Sequence, residues 1–121
     1  MSGKIHDYFE RACLRKLDPL RGRKGEVVYD SDGNCAVFWI ESKAERIRSA
    51  QYRCTTCATL VAFCEHLSEL VVGMKIEEAG QYSAEKLLSL HAEVPEMRKS
   101  RALLVIGAMR SAVQNNLGGS N

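Results

Sequence analysis

Residues 35–72, CAVFWIESKAERIRSAQYRCTTCATLVAFCEHLSELVV, change their apolar period partway along, and that change decides the fold. Cys35 to Glu41 is a β-branched and aromatic run, which reads as a buried strand. A charged turn, Ser42-Lys43-Ala44-Glu45, leads to Arg46–Arg53, which alternates as a strand with one wet face does. The pair predicts an antiparallel hairpin. From Cys54-Thr55-Thr56-Cys57 onward the period becomes helical. Leu60, Cys64, Leu67 and Val71 share one face, with Phe63 and Leu70 beside it. Thr55 or Thr56 supplies the expected N-cap, and Gly73 ends the helix near Val72.

Upstream, Tyr8, Phe9, Ala12 and Cys13 recur at helical spacing, predicting a helix over about Ile5–Lys16 that Pro19 breaks. Arg21-Gly22-Arg23-Lys24-Gly25 reads as a basic, flexible, solvated loop. Glu26–Tyr29 is a candidate third strand, and Asp30-Ser31-Asp32-Gly33-Asn34 is a dense turn signal. Downstream, Ile76–Ala79 and Ser83–His91 read as short helical pieces. A last helix runs from about Arg98 to Gln114, and residues 115–121 are expected to lack order. One helix, two or three strands, then helices is an α+β order: a small antiparallel sheet covered by helices. The expectation is one domain over residues 1–121, with its ordered core at about 5–114.

Seventeen basic and fifteen acidic residues leave a net charge of +2. That balance argues against nucleic acid or a membrane surface as partner. No stretch approaches the roughly 20 apolar residues of a membrane span. The polar start, Met1 to Asp7, does not read as a secretory signal. The expectation is a cytoplasmic protein whose five cysteines are reduced thiols. A homo-oligomer is left open.

Cys54 and Cys57 are the sharpest chemical feature. A CxxC at a helix start places two sulfurs near unpaired N–H groups and positive potential, which favour thiolate. Soft thiolates suit zinc, copper(I) or iron–sulfur clusters. The same pair also fits redox chemistry, or small residues packed at a strand–helix corner. A four-ligand site needs two more donors. Cys35 and Asp32 are the candidates, ahead of His66 and His91. Cys64 and Cys13 lie on apolar faces and read as core. His66 reads as a solvated surface histidine, and His91 as a residue favouring a helix C-terminal dipole. There is no phosphate-binding glycine loop, HExxH or nucleophile elbow, so no other site competes.

At these residues the chain resembles the NifU/IscU family of iron–sulfur cluster assembly scaffolds, with a SufE/NifU-like fold. In that family a hairpin ends in Y/F-x-x-x-G-C, the cysteine opens a long helix, and G-K-x-x-x-E-A follows. Residues Ala50 to Cys57 occupy the first pattern and Gly73-Met74-Lys75-Ile76-Glu77-Glu78-Ala79 the second. This spacing matches Cys57, rather than Cys54, to the family's second cysteine. Ile5 to Glu10 resembles the opening helix. Val94-Pro95-Glu96-Met97-Arg98 resembles the L-P-P-V-K segment that engages an Hsp70-type chaperone.

The departures shape what the resemblance implies. The family's C-G-D motif falls on Asp32-Gly33-Asn34, and its H-C pair falls on Ser100-Arg101. One implied reading is a rebuilt centre: Cys57, Cys54, Cys35 and Asp32 holding an iron or zinc ion or a cluster of the 2Fe–2S type. Strand alternation puts Cys35 and Asp32 on opposite sides unless a bulge intervenes. A second reading is a cluster-free module for a cysteine desulfurase or chaperone, with Arg101 filling the vacated space. A third is a persulfide sulfur acceptor at Cys57.

Overall fold

The computed structural model describes residues 4–14 and 19–118. In chain order it contains α1 (Lys4–Leu14), β1 (Arg23–Lys24), β2 (Val28–Tyr29), β3 (Cys35–Lys43), β4 (Arg46–Cys54), α2 (Ala58–Val71), α3 (Ile76–Gly80), α4 (Ala84–Ser89) and α5 (Ser100–Gly118). A 3-10 turn over Glu96–Arg98 precedes α5. The fold is α+β, as the pattern predicts.

Strand β3 is central. β4 pairs along one edge from Ala36↔Cys54 to Lys43↔Arg46. β1 and β2 pair with β3 in succession, at Arg23↔Ile40 and Val28↔Ala36. All the ladders are antiparallel. Alternation sends Ala36, Phe38 and Ile40 to one face, where they are fully buried. There the core also takes Leu60, Phe63 and Leu67 of α2 and Val105, Met109 and Ala112 of α5. Each large apolar side chain removed from water contributes about 1.5–3 kcal/mol.

The hairpin turn is tight. Ala44 and Glu45 both have positive φ, 53° and 67°. A two-residue turn of this hand suits the twist of the strands but favours Asn-Gly. Helix α3 helps hold it, because Ile76 N–H donates to Glu45 O at 3.0 Å. Glu45→Gly is expected to stabilise the chain by about 1 kcal/mol, by relieving the left-handed strain. A higher urea midpoint with an unchanged slope would show it.

Several expectations are corrected. The basic segment at 21–25 is not a flexible loop. Arg23 and Lys24 form β1, and Gly25 N–H donates to Phe38 O at 2.9 Å. A Cβ on Gly25 would lie 2.6 Å from Ala112 N, so the segment is clamped between sheet and α5. The N-cap of α2 is Cys57, not a threonine. Thr55 instead accepts the Cys35 N–H with its hydroxyl at 2.8 Å and continues the hairpin pairing.

His66 is buried, not solvated, because α1 covers the α2 face that periodicity assigns to water. The Tyr8 ring stacks on His66 at 4.1 Å between centroids. His66 Nδ1 lies 2.7 Å from His91 Nε2, so the His91 ring serves this buried pair. Cys64 is buried as expected, but Cys13 is exposed. The partly covered residues of α1 include Tyr8, Phe9 and Ala12, and Cys13 lies about 100° further round the helix. Helix α5 runs to Gly118, beyond the expected end at Gln114, so residues 115–118 are helical. The expected end of α1, at residues 15 and 16, lies outside the described residues, as do residues 119–121.

Candidate functional site

The hairpin end, the start of α2 and the start of α5 converge on one corner. The turn before β3 is built by Asp30. Its Oδ1 accepts the backbone N–H groups of Asp32 and Asn34, both at 2.9 Å. Asn34 Nδ2 donates to Asp30 Oδ2 at 3.3 Å. Gly33 supplies the positive φ, 83°, that the turn requires.

Burial pushes the Asp30 carboxyl up. The bonds from Asn34 and Asp32 and the charge of Arg101 outweigh that, and its pKa lies below the usual carboxylate value. A lowered folded-state value means the stabilisation is present above the unfolded value and is lost as pH falls through the folded one. Acid titration below the ordinary Asp range is therefore expected to open this turn. The Asn34 amide should report it by NMR as a proton-linked shift that Asp30→Asn abolishes.

Arg101, in the first turn of α5, closes the corner. Its Nη1 donates to Asp32 Oδ2 at 3.0 Å and lies 3.7 Å from Asp30 Oδ2. It also donates to Ser100 Oγ at 3.3 Å. The neighbouring Cys57 thiol is the largest of the groups that raise the already high Arg101 pKa; burial opposes it, and the bond to Asp32 adds to it. The Arg101 side chain is only 14% exposed. Its Nε is buried with no hydrogen-bond partner among the described residues. A charge this enclosed is held by its acceptors.

Of the four residues singled out as donors, the structure brings Cys57 and Asp32 together through Arg101. It turns the other two elsewhere. The Cys35 sulfur lies 3.5 Å from the Thr55 hydroxyl. Cys54 shares the helix-facing side of β4 with Tyr52, two residues earlier. The neighbouring Cys64 thiol lowers the Cys54 pKa, while burial pushes the Cys64 thiol well up. Among the described residues, no three His, Cys, Asp or Glu side chains gather around a point where one metal ion could sit. As folded, the donors do not form a closed ligand set.

Sequence reasoning placed Arg101 here through alignment with the H-C pair. It missed Asp30 as the anchor. The available signal was an Asp opening a D-S-D-G-N turn, a position where the side chain caps the backbone two residues on.

No curated protein matches the chain. Solved structures share its fold, among them the following two. One is described as an iron–sulfur cluster assembly scaffold protein for the SUF system from thermophilic Fervidobacterium islandicum AW-1. It has a TM-score of 0.73 and 18% identity, over 93% of this chain and 96% of that one. The other is the N-terminal part of a nitrogen-fixing NifU-like protein from Brucella abortus. It has a TM-score of 0.64 and 13% identity, over 93% of each chain. The family described as the NifU-like N terminal domain matches residues 33–119, from the Asp32-Gly33-Asn34 turn through α5. That span holds most of the corner described above, and the chain belongs to the NifU-like N-terminal domain family.

Proposed function

We propose that this chain serves iron–sulfur cluster assembly as a scaffold-like protein without catalytic turnover, and that Cys57 is its working sulfur. The observation that carries the reading is Cys57 at the N-cap of α2 as a neighbour of the Arg101 guanidinium, with no three-donor metal group among the described residues. One thiol beside a fixed guanidinium suits carriage of sulfur better than closure of a cluster. In that chemistry the Cys57 thiolate attacks the outer sulfur of a donor persulfide. The donor's S–S bond breaks, its thiolate leaves, and a persulfide remains on Cys57. The guanidinium then faces an anionic terminal sulfur. A cysteine desulfurase is the donor this reading needs.

A second reading has its own support. The guanidinium stands between a sulfur and a carboxylate, where a divalent cation would stand. If Arg101 swings out, Cys57 and Asp32, with Asp30 behind them, are donors for iron or zinc. The fuller set with Cys54 and Cys35 requires Cys54 to turn away from Cys64 and Cys35 from Thr55. A metal or cluster held this way is cargo, and mixed oxygen and sulfur ligation would keep it labile. A chaperone contact fits the segment before α5, where Pro95 precedes the 3-10 turn and Met97 is 79% exposed.

The test of the first reading is sulfur transfer from a desulfurase supplied with labelled cysteine. Cys57→Ser should lose the label, and Cys54→Ser should keep it. Label that follows Cys54 instead would overturn the assignment.

A further inference from the structure

Strand β4 and helix α2 enclose a concavity of about 480 Å³, open to solvent, and Cys57 is not part of its wall. One wall is a stripe of α2 and its C-cap. Glu65, Ser68, Glu69 and Val72 recur at i, i+3, i+4 and i+7 and so share a face. The facing wall is β4 from Arg48 to Gln51, and Arg21 completes the lining. Two backbone devices place the arginines. Glu41 pairs with Ser49 and Ser42 with Ile47, which leaves Arg48 as the extra residue of a β-bulge. A bulge breaks strand alternation and re-aims a side chain. Arg21 is held by Gln51, whose Oε1 accepts its backbone N–H at 2.7 Å while Nε2 donates to Pro19 O at 2.9 Å. The carboxylates opposite are fixed too. Tyr52 OH donates to Glu65 Oε1 at 2.7 Å, and Arg11 Nη1 donates to both oxygens of Glu69, at 2.9 and 3.2 Å. Neither the Arg21 nor the Arg48 guanidinium has an ion-pair or hydrogen-bond partner among the described residues.

The two signs of charge are therefore kept on opposite walls, with the apolar side chains of Ala50 and Val72 also in the lining. A plain anion satisfies the guanidiniums but faces two carboxylates. A plain cation does the reverse. A small dipolar molecule suits both walls. We propose that this concavity binds a free α-amino acid with an apolar side chain. Arg48 and Arg21 take its carboxylate in the charge-assisted pairing that a guanidinium favours. Its ammonium turns to Glu69, with the Glu65 carboxylate behind, and its side chain lies on Ala50 and Val72. The binding is noncovalent and uses no atom of Cys57.

The test titrates the isotope-labelled whole chain with L-leucine and follows the backbone amides of Ser49 and Ser68 by NMR. Both should shift saturably. Two truncated probes divide the ligand. 4-Methylpentanoate keeps the carboxylate and the side chain, and 3-methylbutylamine keeps the amine and the side chain. Each forgoes one charge-assisted contact and should bind about tenfold more weakly than leucine, or worse. Arg48 and Arg21 are exposed, so Arg48→Met and Arg21→Met keep the fold, and each should weaken leucine about tenfold. Glu69→Gln should weaken leucine and spare 4-methylpentanoate. Cys57→Ser should bind leucine as the unaltered chain does, which separates this site from sulfur transfer. Absence of a saturable shift with leucine would overturn the proposal. So would 4-methylpentanoate, 3-methylbutylamine or inorganic phosphate binding as tightly as leucine, because the site would then read only one charge.

Discussion

Arg101→Ala is expected to convert the corner from one that excludes divalent cations to one that takes them. Removing the guanidinium leaves the Cys57 sulfur and the Asp32 carboxylate facing a gap, with Asp30 oriented behind them by the turn. A unit charge about 4 Å from another contributes roughly 4 kcal/mol at the effective dielectric near a protein surface. Much of that is lost to solvent and relaxation, so a gain in zinc affinity on the order of 10- to 100-fold is the reasonable scale. Competition with a chromophoric chelator measures it directly. Cys57→Ser in the same background should reverse the gain. Arg101→Lys keeps the charge without the planar fork and should keep the site closed, though less completely. Zinc binding by Arg101→Ala no tighter than by the unaltered chain would show that Arg101 does not guard the site.

Gly22→Ala is expected to cost about 3 kcal/mol or more, a large share of the 5–15 kcal/mol typical of such a domain. Two penalties combine there. Gly22 has φ of +88°, where an L side chain costs roughly 1–2 kcal/mol. A Cβ would also sit 2.1 Å from the carbonyl oxygen of Ile40, on the central strand. That oxygen is backbone and cannot swing aside, so overpacking adds about 1–3 kcal/mol. Gly33 is the internal control. Its φ is +83°, but nothing lies within 4 Å of the Cβ position. Gly33→Ala should therefore cost only the conformational part, about 1 kcal/mol. Urea midpoints of the two variants, with equal slopes, would separate the contributions. Equal losses would mean that close approach at Gly22 matters little.

The fold was legible where one period ran long enough to be read. Cys35–Arg53 and Leu60–Val71 gave the hairpin and the helix that packs on it. What failed was chiefly the surroundings of an element, and in one short strand its type. His66 was assigned to water because an isolated helix has a wet face, and α2 has α1 over that face. Arg23 and Lys24 looked like loop because two residues carry no period. Their pairing depends on Gly22 and Gly25 letting backbone approach β3 and α5. At the site, motif spacing put Arg101 at the place of the family's H-C pair and matched Cys57 to the family's second cysteine. The direction in which Cys54 points was not legible from CxxC spacing. It follows from strand alternation carried two residues past Tyr52. Asp30 was hidden because its role is to hold a turn, which composition signals but does not assign to one carboxylate.

The proposed carriage of sulfur by Cys57 singly, beside Arg101, has one direct test. The most direct measurement is native mass spectrometry of the chain after incubation with a cysteine desulfurase, cysteine and ferrous iron together. The predicted result is a species heavier by one sulfur, on Cys57, with no metal retained. A chain that carries iron or a cluster at that corner with Arg101 intact, or that gains no sulfur at all, would contradict it.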